Sequence, residues 1–192
     1  MTDRPVTITP LTPERLDDFL SYFDKDAFPD NPRWASCYCQ FMFVDHREVD
    51  WEKRTAAENR ADACKRTCAG RMAGLLAYRD GKVVGWCNAA PRWMMQAYAD
   101  APDEPDADRL GHITCFVVAP GARRTGVARA LLGAACEQLK ASGLAIVEAM
   151  PVDHPKTDAE AHHGPMSLYQ AAGFTEHRRD EHGRVMMRKT LL

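Results

Sequence analysis

The clearest chemistry in the chain lies between Cys115 and Ala128, CFVVAPGARRTGVA. An apolar run ends at Ala119-Pro120-Gly121. Two arginines follow, Arg123 and Arg124, then Thr125, Gly126 and a stretch whose apolar residues recur at helical spacing. The first N–H groups of a helix lack partners inside it, and the helix dipole adds partial positive charge there, so this junction is an anion site. Gly126 carries no side chain and lets a phosphate approach the backbone. Ala128 keeps the next turn open, and Arg123 and Arg124 add charge beside the anion. A pyrophosphate suits the turn Arg123 to Ala128, although an ordinary basic turn before a helix has the same letters.

Two side chains have the character of proton acceptors. Glu148 is a lone carboxylate in the apolar run Ile146-Val147-Glu148-Ala149-Met150. Burial there raises a carboxyl pKa toward the range useful to a general base. His112, at the head of the strand leading to the basic turn, is the second candidate. Each also reads as a satisfied structural residue.

The seven cysteines are scattered. Cys37-Tyr38-Cys39 and Cys64-x-x-x-Cys68, with His46, His154, His162 and His163, offer enough ligand atoms for zinc. Their spacing is not that of a zinc ribbon, and cysteine is commonly a small core residue. No metal is expected. Trp34, Cys37, Tyr38, Cys39, Phe41 and Phe43 read instead as an apolar, aromatic wall or as plain core.

These residues need a scaffold. Val6 to Thr9 reads as a strand, and Thr12-Pro13-Glu14 as a helix start with Thr12 capping. Trp51 to Cys68 has helix-favouring composition. Leu75 to Tyr78 and Val83 to Ala90 flank Asp80-Gly81, a strong hairpin signal. His112 to Val118 is a strand, Val127 to Ala141 a helix, Ala145 to Met150 a strand and Pro165 to Ala172 a short helix. Phe174 to Arg178 and Val185 to Thr190 form a last hairpin. The order β, α, α, β, β, β, α, β, α, β, β predicts a mixed α/β fold with helices on both faces of one sheet.

Arg123-Arg124-Thr125-Gly126-Val127-Ala128 resembles the acyl-CoA loop of the GNAT superfamily of N-acetyltransferases, Gln/Arg-x-x-Gly-x-Gly/Ala. Ser167-Leu168-Tyr169-Gln170-Ala171-Ala172-Gly173-Phe174 is similar to that family's Leu-Tyr-x-x-x-Gly-Phe signature. The resemblance runs from about Leu75 to the C-terminus. It implies a GNAT fold over residues 1–192, with a mostly antiparallel sheet, residues 1–70 on the acceptor side and 75–192 as the acetyl-CoA core. The strands His112 to Val118 and Ala145 to Met150 should splay to admit acetyl-CoA. Phe116, Val117 and Val118 take, by resemblance, the backbone contacts to pantetheine. Relatives often carry an asparagine near the start of the last helix; here His162-His163-Gly164-Pro165 stands there, and Ser167 is the substitute. Tyr169 matches the position whose phenol often lies near the CoA sulfur, as a general acid or as packing alone.

The implied reaction is direct transfer of an acetyl group from acetyl-CoA to an amine, first a small molecule. The alternatives are a protein or peptide amine, a non-catalytic CoA sensor and a zinc-stabilised interaction module. The acidic loop Asp100 to Asp108 suits a cationic acceptor or simply water. The 192 residues carry a net charge of −2, with 45% apolar and 27% charged residues. That balance gives no global basic field for nucleic acid. No apolar run reaches the roughly 18 residues of a membrane span. Without a secretory leader, reduced thiols and a cytoplasmic location are expected. A homodimer is compatible with all of this.

Overall fold

The computed structural model describes residues 5–99, 106–158 and 160–191. All of its strands join one seven-stranded sheet. They are β1 (Thr7–Pro10), β2 (Leu75–Arg79), β3 (Lys82–Pro91), β4 (Leu110–Val118), β5 (Ile146–Ala149), β6 (Thr175–Arg179) and β7 (Val185–Thr190), in the order β1-β2-β3-β4-β5-β7-β6. Only β4 and β5 are parallel; every other neighbouring pair is antiparallel.

The helices are α1 (Leu16–Lys25), α2 (Ala56–Cys68), α3 (Val127–Ala141) and α4 (Met166–Ala171). The predicted order of elements holds throughout. Asp80 and Gly81 both adopt positive φ and link Arg79 to Lys82 as a two-residue hairpin. The first helix departs from expectation. It opens with a 3-10 turn, Pro13–Arg15, and the Thr12 hydroxyl caps nothing. The Arg15 guanidinium donates to that hydroxyl instead, at 3.4 Å. The true capping box is Thr55 with Glu58 at the start of α2, where Thr55 Oγ1 accepts from the Glu58 N–H and Glu58 Oε2 from the Thr55 N–H.

The sheet separates two cores. One face packs on α3 and α4, with Ile113, Phe116, Leu131, Leu132, Val147 and Tyr169 at its centre. The other packs on α1 and α2 and is aromatic: Phe19, Tyr22, Phe23, Tyr38, Phe43 and Trp86.

Two irregularities in β4 make room for a site. Asn88 of β3 pairs with Cys115, but Ala89 pairs with Ile113, so Thr114 is an extra residue, a β-bulge. Pairing with β5 stops at the same point. Leu110 to Ile113 pair with Ile146 to Ala149, and beyond them β4 runs on to Val118 paired with β3 alone. The splay expected between these two strands therefore begins at the bulge.

Candidate active site

The splay opens a cleft of about 1630 Å³. One end is the basic turn. Gly126 is the N-cap of α3 with φ +83°, and no side chain caps the helix. Thr125 Oγ1 donates to Ala122 O at 2.7 Å and accepts from an Arg79 guanidinium nitrogen at 3.0 Å, which fixes the loop from within. A Cβ built on Gly126 would meet nothing within 4 Å. The space beside the uncapped first turn is therefore empty of side chains, which leaves room for an anion. Thr125, Val127 and Ala128 line this end, together with Arg79, Arg124 and Arg129.

Arg123 also lines the cleft and is held by the protein itself. Its Nε donates to Val118 O at 3.0 Å, and its guanidinium binds Asp30 and Asp158. Asp30 raises the guanidinium pKa further, and Arg123 in turn lowers that of Asp30. Arg123 is thus a tie between two loops at the mouth. Arg124, mostly exposed, reaches Asp158 at 3.6 Å.

Along the cleft runs the free edge of β4. Ala119 N donates to Val84 O, and the antiparallel ladder alternates from there. The N–H and C=O of Val117 therefore turn toward β3, and those of Phe116 and Val118 toward the gap. Of the three residues expected to offer backbone groups to a pantetheine, Phe116 presents both, whereas Val118 presents only its N–H, its C=O being held by Arg123 Nε. Ser167 is exposed and does not line the cleft, whereas Pro165 and Leu168 do.

The far end is formed by the segment 28–51. Phe28, Trp34, Cys37, Cys39, Phe41, Met42 and Trp51 line it. Tyr38 and Phe43, expected in the same wall, point instead into the aromatic core. Among the described residues no group of three His, Cys, Asp or Glu side chains is arranged to hold a metal ion.

The structure does not bring Glu148 to the cleft. It is fully buried at the paired end of β5, directly across from Arg188 of β7, whose Nε and Nη2 both donate to Oε1, the former at 2.8 Å. His112 is its neighbour on β4 and stacks on Tyr98 at 4.4 Å. Neither lines the cleft. Burial, then the charges of Arg92, Arg178 and Arg188, push the His112 pKa down to about 3.

Tyr169 is fully buried behind the cleft wall. Its hydroxyl donates to His163 O at 2.8 Å, and its ring meets Phe116 and Phe174. Gly164, φ +81°, lets the turn lie against that ring: a Cβ there would come within 2.9 Å of it. Burial raises the phenol pKa well above its ordinary value, so the group stays protonated. The sequence marks His163 only as a possible metal ligand. It lines the cleft, and its Nδ1 lies 2.6 Å from Thr114 O at the bulge.

The Acetyltransferase (GNAT) family profile matches residues 30–174. The chain belongs to the GNAT acetyltransferase family. Solved GNAT structures share its fold over nearly its whole length. An acetyltransferase of the GNAT family from Streptococcus pneumoniae is 19% identical, with TM-score 0.57 over 97% of this chain and 99% of that one. The PaiA N-acetyltransferase from Thermoplasma acidophilum, solved in complex with coenzyme A, is 13% identical, with TM-score 0.54 over 97% and 99%. A ribosomal-protein-alanine N-acetyltransferase from Brucella melitensis is 17% identical, with TM-score 0.54 over 96% and 99%. No curated protein matches the chain. For a GNAT acetyltransferase the donor is an acyl-CoA, and the uncapped α3 N-terminus with the free β4 edge fits a pyrophosphate followed by a pantetheine arm.

Two outcomes are expected of this acetyltransferase. Gly126→Val places a branched side chain at positive φ in the space left for phosphate. Acetyl-CoA affinity, measured by calorimetry, should fall at least about tenfold, or about 1.4 kcal/mol. Unchanged affinity in the folded variant would remove the pyrophosphate from this turn. The second concerns His112, whose native pKa of about 3 lies below its ordinary 6.5. Between these values the unfolded chain binds a proton that the native chain refuses, so stability falls as pH drops from 6.5 toward 3. The slope from this residue approaches about 1.4 kcal/mol per pH unit. Urea melts of His112→Gln should show a shallower acid limb than the parent in that window; superimposable limbs would mean that His112 is not held neutral.

Proposed function

We propose that the chain transfers an acetyl group from acetyl-CoA to the amine of a small molecule by direct attack. The observation that carries this reading is the continuity of the cleft. It leads from an uncapped helix N-terminus, past a free strand edge, into a chamber walled by aromatic and sulfur side chains. Such a chamber takes a compact acceptor. Outward-facing N–H groups of β4 beside the bulge are placed to steady the developing oxyanion.

The departing sulfur needs a proton. Tyr169, whose hydroxyl lies behind the Phe116 part of the cleft wall, is the candidate acid. Its hydrogen now rests on His163 O and can turn about the C–O bond. Glu148, tied to Arg188, serves the sheet rather than the cleft in this scheme. Thr114 and Cys115, at the bulge, both line the cleft.

The test is a thiol-release assay with acetyl-CoA across small amines, peptides and aminoglycosides, with acetyl-CoA binding measured alongside. Turnover of small amines supports the reading. Turnover confined to peptides would move the acceptor to protein termini or lysines, and binding without turnover of any amine would leave a CoA sensor.

A further inference from the structure

We infer that the acceptor is a primary amine carried on an apolar, aromatic body, held with its nitrogen among Asn88, Thr114 and His163, and that His163 Nε2 takes its proton. This rests on the acetyltransferase reading above.

The charge in the cleft sets the class of acceptor. Its only carboxylates among the described residues are Asp30 and Asp158, and both are bound to Arg123 at the mouth. The chamber itself offers Phe28, Trp34, Phe41, Met42 and Trp51. A polyamine or aminoglycoside would bury several ammonium groups there without counter-charge, which is costly. A single amine on an aromatic body matches the walls and brings one polar end.

That end has partners waiting. Asn88 and Thr114 line the cleft, and each holds a buried oxygen, Oδ1 and Oγ1, with no hydrogen-bond partner among the described residues. Buried acceptors are normally satisfied, so two orphans beside one cleft mark a place for donors. The Asn88 amide is oriented by its other end: Nδ2 donates to Cys39 Sγ at 3.3 Å, which leaves Oδ1, buried, as the unpartnered group. Asn88 pairs with Cys115, the residue after the bulge, so the two oxygens sit on adjacent strands at the point where β4 leaves β5.

His163 completes the arrangement. A carbonyl only accepts, so the 2.6 Å contact with Thr114 O puts the ring hydrogen on Nδ1. Nε2 then carries a lone pair and has no hydrogen-bond partner among the described residues. The ring is held against His162, at 3.8 Å between centroids, and His162 against Trp34 at 4.6 Å. Burial lowers the His163 pKa below its ordinary value and favours the neutral, basic form at neutral pH. In the reaction the amine nitrogen forms a bond to the acetyl carbon as the carbon–sulfur bond breaks. The amine proton passes to Nε2, and the sulfur keeps the bonding pair and takes a proton from Tyr169 or water.

The experiment uses the full chain with acetyl-CoA and two probes, 2-phenylethylamine and spermidine. The expected kcat/KM is at least about 100-fold higher for 2-phenylethylamine. His163→Gln should lower kcat/KM by about 10²–10⁴-fold with acetyl-CoA affinity intact, and free imidazole should restore part of the activity of His163→Ala. Calorimetric binding of 2-phenylethylamine to the CoA-loaded protein gives a readout apart from turnover, and Asn88→Ser should weaken it at least about tenfold. A preference for spermidine, or full activity in His163→Gln, overturns the inference while leaving the acetyltransferase reading standing. Acetyl-CoA that binds with neither probe acetylated overturns it as well. Failure of acetyl-CoA itself to bind brings down both.

Discussion

Tyr169→Phe should lower kcat by about 10²–10⁴-fold, the range a positioned acid supplies, while acetyl-CoA affinity stays within about twofold. The ring is fully buried between Phe116, Phe174 and the His163–Gly164 turn, and phenylalanine preserves that packing. The hydroxyl is all that goes. Its removal leaves the His163 carbonyl without this donor, at a cost of about 1–2 kcal/mol in stability. Kinetics must therefore be read per folded molecule, where chemistry limits the rate. A variant with the parent's kcat reduces Tyr169 to a packing residue that holds the turn. A loss confined to KM for the amine would assign the hydroxyl to shaping the acceptor chamber.

The second large effect is one of stability. Glu148 is fully buried, and the Arg188 Nε and Nη2 hydrogen bonds both fall on its Oε1. Arg188→Met keeps length and removes the charge, stranding a buried carboxylate. The expected loss is about 3–5 kcal/mol, seen as a fall of roughly 10 °C in Tm for a chain of this size. Glu148→Leu combined with Arg188→Met should recover most of it, because an apolar pair needs no desolvated charge. That double variant also decides the role of Glu148. If the carboxylate belongs to the sheet, kcat per folded molecule stays within about twofold of the parent. A loss of about 10² or more would return Glu148 to the role of proton acceptor. Equal destabilisation in the single and double variants would mean that packing, not charge pairing, governs this site.

Much of the scaffold was legible because local signals carried it. Helical apolar spacing gave α3 its observed bounds, Val127–Ala141, and Asp80-Gly81 gave the β2–β3 hairpin. The basic turn was legible for the same reason, since an anion site at a helix start is made of consecutive residues. What stayed hidden is non-local. Nothing near Glu148 in the sequence announces Arg188, which stands 40 positions away and meets it only through the β5–β7 pairing. Arg123 finds Asp30 at a separation of 93. Residues 28–51 contain short turns and no long element, so no period sorts Tyr38 and Phe43 into the core and Trp34 and Phe41 to the cleft. His163 was obscured by its neighbour His162 and by the metal reading that a run of histidines invites.

The extra residue in β4 is a phase slip. Ile113 and Phe116 both face α3 although they are three apart, while Cys115 and Val117 share the opposite face. A regular strand would repeat every second residue and could not do this. Deleting Thr114 would leave Ile113 and Cys115 in plain alternation, so every side chain downstream would keep its face and only the bulge, with the carbonyl that meets His163, would go. For this strand the added residue serves the cleft and not the packing of either core. A β4 lacking Thr114 should therefore keep the fold and lose the bulge, with acetyl transfer as the readout that falls.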